Sequence, residues 1–160
     1  MGIELRPMSE AEFADWLPRA RNDFADELVG YGGADPDAAR AKALRDSEAL
    51  FPGSAPSPEQ LVFVVEADGE RVGELWVGER VGDLRRGAFV WNVRIDERHR
   101  GRGYGRGAML LAEAVARQRG LTHIALNVMG DNAIARGLYR SLGYKETFVT
   151  MEKVLDQRDV

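Results

Sequence analysis

The stretch from Gly87 to Val128 limits this chain more than any other. It joins an apolar, β-prone run, "GAFVWNVRI", to a loop of charge and glycine, then to a helical run and a second apolar run, "THIALNV". In the helical part Ala108, Leu111, Ala112 and Val115 recur at i, i+3, i+4 and i+7, so one apolar stripe faces a core, and Gly120 ends the helix. Strand, loop, helix and strand in that order predict two parallel strands joined by a right-handed crossover.

Within this unit, "RIDERHRGRGYGRGAM" (94–109) places glycine at positions 101, 103, 105 and 107 and carries five arginines. Glycine is used where φ must be positive or where something large lies against the backbone. The loop runs into a helix N-terminus, where backbone N–H groups lack partners and the helix dipole is positive. Alternating glycines let an anion reach those groups, and Arg100, Arg102 and Arg106 supply charge around it. The loop therefore reads as a pyrophosphate cradle. A flexible turn suffices for a lone Gly-x-Gly, but four alternating glycines between a strand and a helix favour the cradle.

The rest of the chain alternates in the same way. "IELRP" predicts a short strand, and "SEAEFADWLPRARNDFADELVGYGG" a helix broken or kinked at Pro18. Asp35 caps a further helix with Pro36 at its first position, running to Phe51. "LVFVVEA" and "RVGELWVG" flank Asp68 and Gly69, a two-residue hairpin signal. "DNAIARGLYRSLG" predicts a short helix whose Ile134, Leu138 and Leu142 face the core, and "YKETFVTMEKVL" a closing strand.

With 160 residues, 44% of them hydrophobic, the chain suits one domain with a real core. No cysteine and only two isolated histidines, His99 and His123, leave no metal site expected. No segment approaches membrane-spanning length, which predicts a cytoplasmic protein without a membrane partner. The net charge of −4 is unevenly placed: residues 1–60 hold 12 acidic and 6 basic residues, whereas 94–106 hold 2 acidic and 5 basic. An acidic chain whose basic run is already explained is not expected to bind nucleic acid.

Gly103, Gly105 and Ala108 also satisfy the Gly-x-Gly-x-x-Gly/Ala spacing of dinucleotide folds. There the strand runs almost directly into the glycines, whereas seven mostly charged residues separate Ile95 from Gly103, so a nicotinamide dinucleotide is the distant alternative. A nucleotide-triphosphate loop fails for want of Gly-Lys-Ser/Thr.

The sequence resembles the GCN5-related N-acetyltransferase (GNAT) superfamily. Arg100, Gly103 and Gly105 in "RGRGYG" meet that family's Gln/Arg-x-x-Gly-x-Gly/Ala motif, and "LNVMGDNAIARGLYRSLGY" is similar to its strand, Asn-bearing helix and closing Leu-Gly-aromatic. The resemblance is firm over residues 89–144. It implies a mixed α/β (α+β) fold: a central mixed, mostly antiparallel twisted sheet, flanked by helices, whose parallel fourth and fifth strands splay apart to admit acetyl-CoA. It implies one acetyltransferase domain over residues 1–160, with a strand and acceptor-side helices in 1–60 and the acetyl-CoA core in 87–144.

By the same resemblance, Arg100, Gly101, Arg102, Gly103, Tyr104, Gly105 and Arg106 bind the pyrophosphate, chiefly through backbone groups. Val93, Arg94 and Ile95 pair with pantetheine as a further strand would. Val93 N–H polarises the acetyl carbonyl. Asn132 and Ala135 hold the pantetheine arm, and Tyr139 protonates the departing thiolate. Asn132 and Tyr139 lie seven apart, two helical turns, and so share a face.

The chain departs from the family pattern at the general base, for Phe89 and Asn127 stand where relatives carry Glu. Glu74, Asp26 and Glu27 are the remaining candidates. The reading is an acetyl-CoA-dependent N-acetyltransferase acting by direct transfer to a primary amine of a small molecule or peptide, without a metal. A non-catalytic acyl-CoA-binding or regulatory module is the alternative. Expected partners are an amine-bearing acceptor, cationic by the placement of Asp23, Asp26, Glu27 and Glu74 beside Tyr31 or Trp76, and a second copy as a homodimer.

Overall fold

The computed structural model describes residues 2–80 and 86–155. The chain divides into two units, Met1–Asn127 and Val128–Val160. The first holds a five-stranded sheet in the order β1 (Ile3–Pro7), β2 (Gln60–Ala67), β3 (Glu70–Glu79), β4 (Gly87–Ile95), β5 (His123–Leu126). Every neighbouring pair is antiparallel except β4 and β5, which are parallel. That exception follows from the crossover helix α3 (Tyr104–Gln118), because a chain returning through a helix re-enters the sheet in the same direction.

Helix α1 (Glu10–Gly30) starts at a capping box, in which Ser9 accepts from the Glu12 N–H and the Glu12 carboxylate accepts from the Ser9 N–H. It runs unbroken through Pro18, contrary to the expected break. Proline removes one N–H bond to the carbonyl four residues earlier. Phe13, Trp16 and Leu17, at i, i+3 and i+4, offset that loss by burial. They form one apolar cluster with Phe51 and Val62, at roughly 1.5–3 kcal/mol for each large side chain buried. Helix α2 (Pro36–Leu50) is capped by the Asp35 carboxylate, as expected, and packs its Ala39 and Ala43 near Ala25 of α1.

The hairpin joining β2 and β3 turns through Asp68 (φ 52°) and Gly69 (φ 80°), the left-handed pair that a two-residue turn requires. On α3 the buried face is Tyr104, Ala108, Met109, Ala112 and Ala116, while Leu111 and Val115 flank it half-buried. Leu61, Val77 and Ala88 line a gap with Val115 and Ala116 of α3, whereas Val62 and Trp76 pack with the α1 cluster. Adjacent strand residues face opposite ways, so α1 and α3 cover opposite faces of the sheet.

Arg6 ties β1 to both neighbours: its Nε donates to Glu66 at 2.7 Å and its Nη1 to Glu12 at 2.9 Å. The guanidinium and the Ser9 N–H hold the Glu12 carboxyl down at about 2. A depressed carboxyl contributes stability that is complete above its unfolded value of 4.5 and is lost as pH falls toward 2. Urea unfolding across that window should show a shallower acid loss for Glu12→Gln than for the wild type, by a small margin because the pair is partly exposed. Identical acid slopes would remove Glu12 from the acid response.

The second unit holds α4 (Ala133–Ser141), with Gly143 (φ 92°) beyond its end as expected. Two expectations fail here. Ile134 is 90% exposed, so no core stripe forms along Ile134, Leu138 and Leu142. Residues 144–155 form no strand. An alternating pattern makes a strand only where a partner supplies its hydrogen bonds, and no ladder includes these residues.

Candidate functional site

The end of β4 leads through Asp96 into a single turn, Glu97–His99, where the His99 N–H donates to Asp96 O at 2.8 Å. His99 is buried under this turn, its Nε2 3.6 Å from Glu70 Oε1 and its ring 6.4 Å from that of Tyr104. Arg100 Nε donates to Ile95 O at 3.0 Å, which fastens the loop to the strand end. Gly101 (φ 74°) and Gly103 (φ 82°) then reverse the chain in the left-handed region, and Gly103 is the N-cap of α3.

No side chain caps α3, whereas Ser9, Asp35 and Asn132 cap the other three helices of the described residues. The N-terminus of α3, where the dipole is positive, thus has no side-chain cap at Gly103. Arg102 and Arg106 are exposed beside it. The Tyr104 side chain is buried, so only its main chain belongs to this site. The glycines divide by cause: Gly101 and Gly103 serve positive φ, while a Cβ on Gly107 would sit 3.0 Å from Ile3 Cγ2. Gly107 admits β1, not a ligand.

β5 pairs with β4 only from Gly87 to Val90 and ends at Leu126, one residue short of Asn127. From Trp91 to Ile95, β4 therefore has no β5 partner, while its other side is paired with β3 from Asn92 to Ile95. The strands part where the resemblance requires a splay. A β-bulge lies at the same place: Trp76 faces Asn92 and Val77 faces Val90, which leaves Trp91 as the extra residue. After the bulge the phase reverses, so Asn92 and Arg94 share the α1 face with Trp76 and Glu74, and Val93 lies on the α3 face with Leu75.

Glu74 is nearly enclosed on the α1 face, its side chain 5% exposed. Arg71 Nη2 donates to its Oε2 at 3.0 Å, Asn92 Nδ2 to its Oε1 at 3.5 Å, and Arg19 Nη1 lies 3.9 Å from Oε2. Trp76 donates its indole N–H to Gln60 Oε1 at 2.9 Å and stacks on Trp91 at 5.4 Å within the aromatic cluster. Trp76 is thus engaged in the core cluster. Phe89 is buried, its ring 4.6 Å from Trp91. Further along α1, Asp23 meets Arg94 at 3.5 Å, and burial together with the Asp23 charge pushes the Glu27 carboxyl up.

In the second unit Asn132 is not helical but is the N-cap of α4, its Oδ1 accepting from the Ala135 N–H at 3.1 Å. The seven-residue spacing to Tyr139 therefore begins outside the helix. Burial raises the Tyr139 hydroxyl above its ordinary value, and its ring lies 5.9 Å from that of Tyr144. Glu146 joins Arg136 and Arg140, which lower its carboxyl.

The sequence reading missed Trp91, Asn92 and Arg19. No local signal marked the first two: in "FVWNVRI" apolar Phe89, Trp91, Val93 and Ile95 alternate regularly with polar Asn92 and Arg94, the pattern of a strand without a bulge. Nothing local marked Arg19, whose relation to Glu74 spans 55 positions (74 minus 19) of sequence. Among the described residues no group of three His, Cys, Asp or Glu side chains is placed to hold a metal, and no helix is long and apolar enough to cross a membrane.

The sequence profile of the Acetyltransferase (GNAT) family matches residues 35–144. The chain is 30% identical over 156 residues to the uncharacterized N-acetyltransferase YycN of Bacillus subtilis (strain 168), covering 97% of this chain and 100% of that protein. It superposes on the crystal structure of YycN with a TM-score of 0.85 at 29% identity, covering 98% and 100% of the two chains. The aminoglycoside N-acetyltransferase AAC(6')-Iy in complex with CoA shares the fold at 17% identity, with a TM-score of 0.62 and coverage of 96% and 95%.

Proposed function

The chain belongs to the acetyltransferase (GNAT) family, and from that premise we propose that it is an N-acetyltransferase moving acetyl from acetyl-CoA directly to a primary amine of a small molecule or peptide. The observation that carries this reading is the uncapped N-terminus of α3, reached through the left-handed Gly101 and Gly103 at the end of a strand whose 91–95 edge is unpaired on the β5 side.

In this reading the α3 amides and Arg102 and Arg106 hold the pyrophosphate. The main chain of Val93, Arg94 and Ile95 holds pantetheine by strand addition, and the Val93 N–H supports the oxygen of the acetyl group as it gains charge. Asn132 retains its Nδ2 donors for the pantetheine arm. The amine attacks the acetyl carbon, the C–S bond breaks, and Tyr139 delivers its proton to the thiolate. Glu27 accepts the amine proton: burial and Asp23 move its carboxyl toward the working pH, the direction a base needs. Glu74 is less suited, because both its oxygens are already held. Asp26 and Glu27 draw the acceptor as its ammonium form.

Ligand-dependent unfolding tests the donor. Acetyl-CoA should raise the melting midpoint and NADH should leave it in place, since only a ligand bound to the native state stabilises it. A panel of amines followed by CoA release then tests turnover. Stabilisation by NADH alone would overturn the donor assignment. Acetyl-CoA binding without release against any amine would favour a non-catalytic acyl-CoA-binding module.

A further inference from the structure

The inference rests on the transferase reading and concerns what the acceptor carries besides its amine. Helix α3 and its cradle occupy one face of the sheet beside the free edge of β4. An amine meeting a thioester on that edge therefore has the opposite face, the one beside α1, as its approach. There β4 presents Asn92 and Arg94, β3 presents Glu74, and α1 presents Arg19 and Asp23.

The charges on this face do not amount to a trap for a simple cation. Glu74 is enclosed and contacted by Arg71, Asn92 and Arg19, and Asp23 is matched by Arg94. Around the enclosed Glu74 two guanidinium groups, Arg71 and Arg19, stand against one carboxylate, and Arg94 adds a third beside Asp23. Their exposures differ from that of the acid they surround: Arg19 and Arg94 are each 51% exposed and Arg71 39%, against 5% for Glu74.

The distances separate the three arginines further. Arg71 sits at hydrogen-bond length from Glu74, whereas Arg19 donates its Nε to Asp15 O at 3.3 Å and keeps its Nη1 3.9 Å from Glu74, and Arg94 meets Asp23 through Nη1 alone, so both keep Nη donors for a ligand. Glu74 thus acts as a buried anchor that holds Arg19 over β3, beside Asn92 of β4, without consuming it. A guanidinium fork matches a planar carboxylate with two parallel N–H bonds.

We infer that the acceptor is a small amine that also bears a carboxylate, an amino-acid-like zwitterion, and that Arg19 and Arg94 bind its carboxylate. Asp26 and Glu27 lie three to four positions beyond Asp23 on α1 and supply the negative end. The amine and the carboxylate are thereby drawn to different parts of the same helix.

Matched pairs of acceptors test this: L-lysine against cadaverine, and L-phenylalanine against phenethylamine, with CoA release as the readout. The wild type should favour the carboxylate-bearing member of a pair by about tenfold or more in kcat/KM, the size of a charge-assisted hydrogen bond. Arg19→Gln and Arg94→Gln should each bring that ratio toward one through KM, and Arg19→Lys should keep part of it. Arg19→Gln leaves Glu74 with Arg71 and Asn92, so the variant retains the buried contacts and its melting midpoint checks the fold. Equal use of both members, or preference for the decarboxylated amine, would overturn the inference while leaving the transferase reading in place. Acetyl-CoA binding with no release from any amine would overturn both.

Discussion

Gly103→Glu is expected to abolish acetyl-CoA binding. Gly103 has φ 82°, a conformation that strains any residue with a Cβ by about 1–3 kcal/mol, so Gly103→Ala and Gly103→Glu share that loss of stability. They differ beyond the Cβ. An added Cβ meets nothing within 4 Å, so the glutamate side chain has room to enter the open space before α3. Its carboxylate would cap the amides that no native side chain caps and occupy the place of the incoming anion. Calorimetric titration should therefore show weakened binding for Gly103→Ala and none for Gly103→Glu. Equal affinities in the two variants would move the phosphate site away from this loop.

Tyr139→Phe should lower kcat by about a hundredfold or more, the usual contribution of a general acid, with the acetyl-CoA dissociation constant little changed. The substitution keeps the ring, and with it the packing against Tyr144 at 5.9 Å, so the loss reports the hydroxyl. Burial raises the hydroxyl above its ordinary value of 10.0, which keeps the proton on Tyr139 throughout the neutral and mildly alkaline range. The defect should accordingly persist across that range. It should shrink with a thioester whose thiol is more acidic, because such a leaving group needs no proton. Wild-type kcat in the variant, under conditions limited by chemistry, would leave Tyr139 as a packing residue.

Together these two variants address opposite ends of the donor. One tests where its phosphates rest and the other how its sulfur departs. A protein that loses binding with Gly103→Glu but keeps turnover with Tyr139→Phe would use solvent or another group as the acid.

Much of the first unit could be read from local sequence, because the signals there are local. Ser9 with Glu12, Asp35 with Pro36, and Asp68 with Gly69 each satisfy backbone groups within a few residues of themselves, and each feature forms as expected. The glycine loop belongs to the same class, since positive φ at Gly101 and Gly103 and a helix start at Tyr104 are settled within one loop. The break at Pro18 does not form because the compensation for its local penalty, the burial of Trp16 and Leu17 against Phe51 and Val62, is not local.

The alternating run at residues 144–155 shows the limit of such reading. Its pattern is sufficient for a strand only when a neighbouring backbone completes the ladder, and that condition lies outside the segment. Gly107 makes the same point at smaller scale, for it looks like a fourth cradle glycine until Ile3 is found against it, more than a hundred positions earlier in the chain.

The sequence by itself determined the order of elements from β1 to α4, the family, and the left-handed glycine loop that leads into α3, because caps, turns and periodicity are decided between near neighbours. Tertiary structure alone decided that Trp91 is the bulge, that the phase reverses to put Asn92 and Arg94 beside Glu74, and that Glu74 is enclosed by Arg71 and Arg19. The physical reason is that a carboxylate's role depends on the charges around it and the water it retains, and strands and a helix distant in sequence set both.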